Sequence, residues 1–416
     1  MAWGGCDHAP RIVTISLMAL HTRAIADGFG VRLALFYAGL FVVVGIQMPF
    51  FPVWLEAKGL DPQAIGLVVA TPILVRIIVV PAAARLADRR GALRAVLVVS
   101  SVGGAIGYAL VGLSHGFAAI IASVALAAAL AGPAIPLADA YALRGLTLRG
   151  RAYGPVRLWG SAAFIAANFA AGFASGYISP AGYVWLIVAA WAIAGAASLG
   201  LLPQQPAGNP EAAAPRRPRR LLATPGVLSV AVGASLIQAS HALFYGFSTL
   251  AWSAQGLSGT AIGALWALGV AAEIVLFALS ARLPALSPRG LLILGATGAV
   301  VRWSAMAFDP PAALLVPLQC LHALSFGASF LGAVQFLARV APEGKAATAQ
   351  GDFSTLQGIV TFAATGVSGL LYAKFGALAY VPMAACAAVG GLVVWWGAAR
   401  ESGNRYPGSR PNNPDR

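Results

Sequence analysis

Residues 266–283 read WALGVAAEIVLFALSARL, and this stretch indicates which solvent the chain folds in. Every residue from Trp266 to Ser280 is apolar or small except Glu273, which lies at the centre. Runs of this kind are typical of helices that cross the hydrocarbon core of a bilayer. A carboxylate that faced lipid at that depth would cost about 2.5 kcal/mol or more. Glu273 is therefore expected to face the protein interior and to have a function.

Composition points to the same solvent. The chain has 416 residues, of which 59% are hydrophobic and only 10% are charged. Soluble domains carry about 25% charged residues, so we predict a membrane protein with many spans. Cys6 lies near the N-terminus, and Cys320 and Cys386 lie inside apolar runs. Cysteines so placed predict no disulfide framework and no metal site, and we expect no cofactor.

Apolar runs of about 20 residues, the length of a membrane-spanning helix, recur along the chain. We predict twelve spans, near residues 32–55, 62–84, 93–113, 117–141, 154–178, 183–202, 226–252, 260–281, 290–308, 311–338, 350–372 and 378–399. Continuous apolar runs of this length cannot form the alternating strands of a β-barrel. The predicted fold class is therefore an all-α polytopic membrane protein with twelve transmembrane helices.

The basic residues predict the orientation of these spans. With the N-terminus inside, the inner loops and both tails hold 23 of the 27 Lys and Arg residues. Only Lys58 and Lys374 lie on the opposite side, while Arg76 and Arg302 lie within spans. This asymmetry follows the positive-inside rule and accounts for the net charge of +14 without a nucleic-acid partner. We expect both termini to be cytoplasmic and lipid to surround the spans.

A segment rich in proline, alanine and arginine divides the spans six and six. It reads PQQPAGNPEAAAPRRPRRLLATP and is typical of a linker. The predicted domains are a cytoplasmic N-terminal tail, a six-helix bundle, a cytoplasmic linker, a second six-helix bundle and a cytoplasmic C-terminal tail, at residues 1–31, 32–202, 203–225, 226–399 and 400–416.

The two halves contain a repeat. KGLDPQAIG at 58–66 aligns without a gap with QGLSGTAIG at 255–263, at an offset of 197 residues. The same offset places Arg76 of the first half at the position of Glu273 in the second. Twelve spans, a central linker and a parallel repeat predict a transporter built from two pseudo-symmetric six-helix bundles.

Polar and aromatic residues share one face on several spans. In the seventh span they are spaced three and four apart from Gln238 to Trp252, which puts them on one side of a helix. Such faces predict either a wet interior cavity or ordinary hydrogen bonds between packed helices. The candidate substrate-binding residues are Gln47, Trp54, Arg76, Gln238, His241, Tyr245, Trp252 and Trp266.

Three ionisable residues lie at membrane depth on consecutive spans of the second half: Glu273, Arg302 and His322. A carboxyl that can take a proton, an arginine that keeps its charge and an imidazole that titrates near neutrality form a candidate proton relay. In that relay, protonation of Glu273 would release Arg302. The alternative is a static buried ion pair between these two residues.

The loop ARLADRRGALR at 84–94 resembles the loop between the second and third spans of the major facilitator superfamily, with Asp88, Arg89 and Gly91 matching. Four longer stretches resemble the 3-phenylpropionate permease branch, whose distant relatives are lactose and nucleoside proton symporters. They are PFFPVWLEAKGL (49–60), YGPVRLWGSAAF (153–164), SHALFYGFSTLAW (240–252) and LWALGVAAEI (265–274). The similarity covers about residues 32–398, and it implies the major facilitator fold in a bacterial inner membrane.

The resemblance also implies alternating access, in which two bundles rock about a central site. It implies a cytoplasmic gate formed by Arg85, Asp88, Arg89, Gly91, Asp139 and Arg157. Asp139 would pair either with Arg85 or Arg89, or with Arg157, and the sequence does not choose between these partners.

The function expected from these features is proton-coupled uptake, by symport, of a small organic acid such as an aromatic carboxylate. Arg76 or Arg302 would supply the fixed cation, and aromatic faces would receive the ring. The alternatives are a proton-coupled transporter of sugars or nucleosides, a drug-type proton antiporter, or a non-transport membrane protein. No zinc-ligand pair, nucleotide-binding loop or Gly-x-Ser-x-Gly elbow accompanies the spans, so an enzyme is not expected. We expect the transporter to work as a monomer on a small molecule and a proton.

Overall fold

A computed structural model describes residues 28–204, 224–280, 286–341 and 346–403. These ranges form fifteen α-helices joined by short loops, 3-10 turns and one π-helical turn, and they contain no β-strand. The α-helices are α1 (Phe29–Ala57), α2 (Pro62–Arg90), α3 (Leu93–Leu113), α4 (Phe117–Ala131), α5 (Ala134–Thr147), α6 (Tyr153–Ala174), α7 (Tyr183–Leu199), α8 (Pro225–Ala239), α9 (Ala242–Ala254), α10 (Gly259–Ser280), α11 (Pro288–Met306), α12 (Ala312–Cys320), α13 (Ser329–Val340), α14 (Ala346–Phe375) and α15 (Tyr380–Gly403).

Nine helical stretches of the described chain are long and apolar enough to cross a membrane. They are consistent with the twelve predicted spans, because the stretch Ala349–Gly397 contains two of them and because α6 and α11 are long enough to span but less apolar. The prediction of an all-α polytopic membrane protein is confirmed. Cys6, most of the predicted N-terminal tail and linker, and the end of the C-terminal tail lie outside the described residues.

The helix bounds differ from the predicted domain bounds by a few residues. Helix α1 begins at Phe29, inside the predicted tail 1–31, and α15 continues to Gly403, inside the predicted tail 400–416. We refer below to residues 28–204 as the first half and to residues 224–403 as the second half. The division into two bundles stays a prediction.

Three of the predicted spans are broken in the middle. The fourth breaks at Gly132 and Pro133, between α4 and α5, and the seventh breaks at Ser240, between α8 and α9. The tenth contains the π-helical turn Ala323–Ala328, which begins directly after His322. Such turns are frequent at functional sites, and here the turn joins α12 to α13. Breaks at membrane depth are tolerated where neighbouring helices bond the freed backbone groups.

The repeated segments adopt the same local structure in both halves. Gly59 and Gly256 both end a helix in the left-handed region, with φ of 80° and 85°, where glycine is favoured. The next helix then begins with a capping side chain in each case. Asp61 accepts a hydrogen bond from the backbone of α2 at 2.8 Å, and Ser258 accepts one from the backbone of α10 at 3.2 Å. The repeat is therefore present in the fold as well as in the sequence.

The two halves meet mainly along two helix pairs, α2 with α14 and α6 with α10, and to a lesser extent between α1 and α9. The contacts are closest at the end of the molecule opposite the arginine-rich loop between α2 and α3. A methyl group built on Gly66 of α2 would lie only 2.9 Å from the Cα of Gly369 on α14. One built on Gly172 of α6 would clash with the carbonyl oxygen of Gly259 on α10. Glycine at these positions lets the backbones of the two halves touch.

Replacement of Gly172 by valine is expected to separate α6 from α10 at this end, because no space exists for a side chain. The distance between spin labels at the exposed positions 177 and 258 should increase by about 2 Å, toward ordinary helix spacing. Pulsed electron spin resonance measures this distance. Gly154→Val on the same helix is the matched control, since nothing lies within 4 Å of a methyl group there. An unchanged distance in Gly172→Val would contradict the assignment of a close contact.

Candidate substrate and proton site

A cavity of about 300 Å³ lies between the helices, and most of its lining belongs to the first half. Its walls come from α1, α2, α3, α4, α5 and α7, completed by Tyr245 of α9 and by Thr361 and Thr365 of α14. Most of the lining is apolar, including several aromatic rings. Ligand pockets are of this character, with volumes from about 300 Å³ upward and a small number of polar groups that orient the ligand.

Arg76 is the cation of this cavity. Its side chain is accessible from the cavity, although protein surrounds it on most sides. Within the described residues it makes no hydrogen bond and no ion pair. Its stem lies against Gly132, where a methyl group would come within 2.8 Å of the arginine Cγ. Buried charges in proteins are normally paired, so the guanidinium is chemically able to pair with an anionic group that enters the cavity.

Two more polar groups lie beside Arg76. The Gln47 amide donates a hydrogen bond to the Tyr108 hydroxyl at 2.5 Å, and the charge of Arg76 acts on that hydroxyl. The Tyr108 ring meets Phe51 edge to face, with centroids 6.0 Å apart, and stacks on Trp191 at 6.5 Å. Because the amide is the donor, the hydroxyl hydrogen of Tyr108 stays available to a ligand. Neither Tyr108 nor Trp191 was predicted from the sequence, because each is a single aromatic residue in an apolar span.

A separate polar network lies inside the second half, around Arg302, whose side chain is fully buried. Its Nη2 donates to the Gln319 side-chain oxygen at 2.7 Å, and its Nη1 lies 3.0 Å from His322 Nδ1 and 3.3 Å from Ser325 Oγ. The guanidinium also lies 4.5 Å from the centroids of two aromatic rings, those of Phe244 and Trp303. Both Nη atoms of Arg302 therefore have partners within the chain, while its Nε is buried without a hydrogen-bond partner. The guanidinium is not open to a cavity in the way that Arg76 is.

Glu273 joins this network through His322. The Nε2 atom of His322 lies 3.8 Å from the nearer carboxylate oxygen of Glu273, whose side chain is 17% exposed. In the described residues no ion pair joins Glu273 directly to Arg302, because His322 lies between them. The static pair considered from the sequence is therefore not formed in the described residues, and the proton relay of Glu273, Arg302 and His322 stays a prediction. The other charge that acts on Glu273 is Arg157, from the first half.

The remaining candidate substrate-binding residues are distributed unevenly. Gln47, Arg76 and Tyr245 line the cavity. The other five are buried away from it: Trp54, Gln238, His241, Trp252 and Trp266. The indole of Trp266 donates to Thr249 at 3.1 Å, and His241 contacts Ser325 at the same distance. A role in substrate binding for these five stays a prediction.

Asp139 has tyrosine partners. It accepts hydrogen bonds from Tyr37 at 2.6 Å and from Tyr153 at 2.8 Å, and within the described chain it forms no ion pair with an arginine. Arg157 lies close by, with its guanidinium 3.9 Å from the centroid of Phe41 and 5.5 Å from that of Tyr37. Neither of the two arginine pairings considered for Asp139 is formed here.

The other predicted gate residues lie at the end of α2. Arg85, Asp88 and Arg89 are exposed. Gly91 ends α2 in the left-handed region with φ 58°, and its N–H bonds to the Asp88 carbonyl oxygen at 3.2 Å. The glycine of this motif is thus required by the turn that ends the helix. A gating role for these residues stays a prediction. No group of metal-ligating side chains that could hold an ion occurs in the part of the chain that the structure describes.

Comparison with known proteins places the chain in a family. The family described as "MFS_1 like family" matches residues 31–381. The chain is 31% identical over 327 residues to the probable 3-phenylpropionic acid transporter of Escherichia coli (strain K12), covering 74% of this chain and 81% of that protein. It is 30% identical over 377 residues to the maltose permease of Geobacillus stearothermophilus, covering 88% and 94% respectively.

Solved structures share the fold. The nucleoside transporter NupG superposes with a TM-score of 0.72 at 16% identity, over 89% of this chain and 98% of that one. A D-xylose-proton symporter superposes with a TM-score of 0.70 at 14% identity, over 88% and 97%. At these identities the superpositions show a shared fold. The chain belongs to the MFS_1-like family and is a multi-pass membrane transporter of the major facilitator superfamily, not an enzyme.

Proposed function

We propose that the protein takes up a small organic acid with an aromatic body, such as a 3-phenylpropionate-like carboxylate, by proton symport. The observation that carries this proposal is Arg76, a cation that bonds to no residue in the described part of the chain and faces a cavity lined by apolar and aromatic side chains. A carboxylate would pair with the guanidinium, and the Tyr108 hydroxyl would donate a second hydrogen bond. The ring of the acid would lie against Phe51 and Trp191.

The cavity chemistry favours an acid over a sugar or a nucleoside. A sugar needs a polar partner for each of many hydroxyl groups, and buried polar groups left without partners cost about 1–3 kcal/mol each. The polar lining is sparse, and Gln47 already bonds to Tyr108. Among the relatives, a probable 3-phenylpropionic acid transporter fits this chemistry better than a maltose permease does. Sugar or nucleoside transport, and proton antiport of drug-like compounds, remain the alternative functions that the substrate test addresses.

Glu273 is proposed as the proton carrier. It is the carboxylate of the second-half network, it is partly accessible, and an intramembrane carboxylate is a functional candidate by default. Arg302 and His322 would hold and orient it. A solved neighbour of the same fold is a D-xylose-proton symporter, which agrees with proton coupling in this fold.

Tyr245 is the proposed link between substrate and proton. It lines the cavity, its ring stacks on that of His241 with centroids 5.8 Å apart, and the charge of Glu273 acts on it. A substrate that contacts Tyr245 from the cavity would therefore change the surroundings of Glu273. Tyr245 would therefore give a direct route for coupling the two sites.

The transport cycle is proposed to be alternating access in a bacterial inner membrane, with the arginine-rich end in the cytoplasm. The protein would work as a monomer, because the cavity and the network are both built from one chain. Uptake, rather than export, is the direction that the related permease branch implies.

Arg76→Gln is expected to weaken binding of 3-phenylpropionate by about tenfold to a hundredfold, since a charge-assisted hydrogen bond contributes about 1.5–3 kcal/mol. Titration calorimetry on the purified protein measures this change. The neutral 3-phenylpropanamide should bind equally to both proteins, and Arg90→Gln, at the exposed end of the same helix, serves as the matched control. Equal losses for the acid and the amide would mean that Arg76 only supports packing.

Glu273→Gln is expected to abolish accumulation of the acid driven by a pH gradient and to leave exchange of labelled for unlabelled acid intact. The glutamine amide resembles the protonated carboxyl but cannot release a proton. The assay uses proteoliposomes with a pH dye inside, corrected for passive permeation of the undissociated acid. Glu56→Gln, at an exposed position on α1, is the control. Gradient-driven accumulation that persists in Glu273→Gln would refute its role as the carrier, and no transport of any tested acid by the wild type would refute the proposed substrate.

A further inference from the structure

We propose that His322 does not carry the transported proton: Arg302 fixes it as a neutral imidazole whose Nε2–H is directed at Glu273, so that His322 acts as a positioning residue. This inference rests on the proposed function, in which Glu273 exchanges the proton. It differs from the relay expected from the sequence, in which the imidazole itself gains and loses a proton.

The assignment follows first from the chemistry of arginine. A guanidinium has five N–H donors and no acceptor. Its Nη1 lies 3.0 Å from Nδ1 of His322, so this ring nitrogen must accept the hydrogen bond. A neutral imidazole then carries its single hydrogen on Nε2. A second proton could bind only at Nδ1, where it would face a donor and a permanent positive charge.

The ring nitrogen that carries the hydrogen is the one that faces the carboxylate. Nε2 of His322 lies 3.8 Å from Oε2 of Glu273. This is longer than a hydrogen bond, as is common for functional contacts in the absence of substrate. The donor is therefore already on the correct atom, and only a small approach is needed for it to stabilise the ionised form of Glu273.

A second histidine supports the same direction of hydrogen bonding. Nδ1 of His241 lies 3.1 Å from the backbone carbonyl oxygen of Gln238, which can only accept, so Nδ1 carries the hydrogen. Nε2 of His241 then accepts from Ser325 Oγ at 3.1 Å, and Ser325 accepts from Arg302 at 3.3 Å. Both chains of hydrogen bonds therefore start from an Arg302 donor, one ending at His322 and the other passing through Ser325 to His241. The ring hydrogen is on Nε2 in His322 and on Nδ1 in His241.

The charges around the site also oppose a second proton on His322. Arg302 on α11 and His241, at the start of α9, act on it, and within the described residues its one carboxylate at ion-pair distance is Glu273 of α10. Glu273 in turn faces Tyr245 of α9 and Arg157 of α6. Either protonation adds one positive charge to the site. On His322 the added proton would lie on Nδ1, 3.0 Å from Arg302 Nη1, whereas Glu273 has no arginine at ion-pair distance within the described residues.

The transport test compares His322→Gln with His322→Phe. Glutamine has an acceptor oxygen and a donor nitrogen at nearly the spacing of the two ring nitrogens, so it can accept from Arg302 and donate to Glu273. We expect the glutamine variant to accumulate the acid at a rate within about threefold of the wild type. The phenylalanine variant leaves both partners unsatisfied and should be slower by about tenfold or more. His115→Gln, in an exposed loop, is the matched control, and a glutamine variant as slow as the phenylalanine variant would overturn the proposal.

A second test does not depend on transport. Nitrogen-15 NMR of histidine-labelled wild-type protein in lipid nanodiscs reports the protonation of each ring nitrogen. The His322 signal is assigned as the wild-type signal that disappears in His322→Gln. In the wild type it should show a neutral imidazole with its hydrogen on Nε2 from about pH 5 to about pH 8, a range in which an ordinary histidine changes its protonation state. A doubly protonated His322 within that range would overturn the proposal. If the wild type transports no acid, the proposed function fails, and the NMR result still decides the state of His322.

Discussion

The interaction on which the second half depends is the burial of Arg302 among neutral groups. No water reaches a fully buried guanidinium, and a charge at this depth needs partners for each of its donors. Here Gln319, Ser325 and His322 accept its hydrogen bonds. Since arginine can only donate, it fixes the direction of every hydrogen bond around it. The carboxylate of Glu273 stays outside this first set of partners and keeps the freedom to change its charge.

The two arginines at membrane depth, Arg76 and Arg302, have opposite surroundings. Both Nη atoms of Arg302 bond to its own chain, whereas Arg76 has no bonded partner in the described residues and faces a cavity. Arg76 also occupies the position that Glu273 fills in the second half, at an offset of 197 residues. A pair of equivalent positions thus holds a fixed cation in one half and a carboxylate in the other. In the proposed function, substrate and proton would bind separately at these equivalent positions.

The sequence predicted the fold and the identity of the charged cluster because lipid excludes charge. Glu273, Arg302 and His322 had to face the interior, and they do lie together. Their order did not follow, since depth along three separate helices does not specify which side chain comes between the other two. Tyr108 and Trp191 left no periodic signal at all. Their place beside the cavity depends on the packing of α3 and α7 against α1, which a single sequence does not encode locally.

In the proposed mechanism, coupling between the halves depends on the positions of Arg76 and Glu273 along their helices. Gly66 on α2 is in close contact with α14, and Gly263 on α10 is in close contact with α6. Arg76 and Glu273 each follow their glycine by ten residues, about 15 Å along a helix. A small change of tilt about either contact is therefore amplified at the charge. In the proposed function, binding at Arg76 and protonation at Glu273 would act on two helices at which the halves meet, so either event would change how the halves meet.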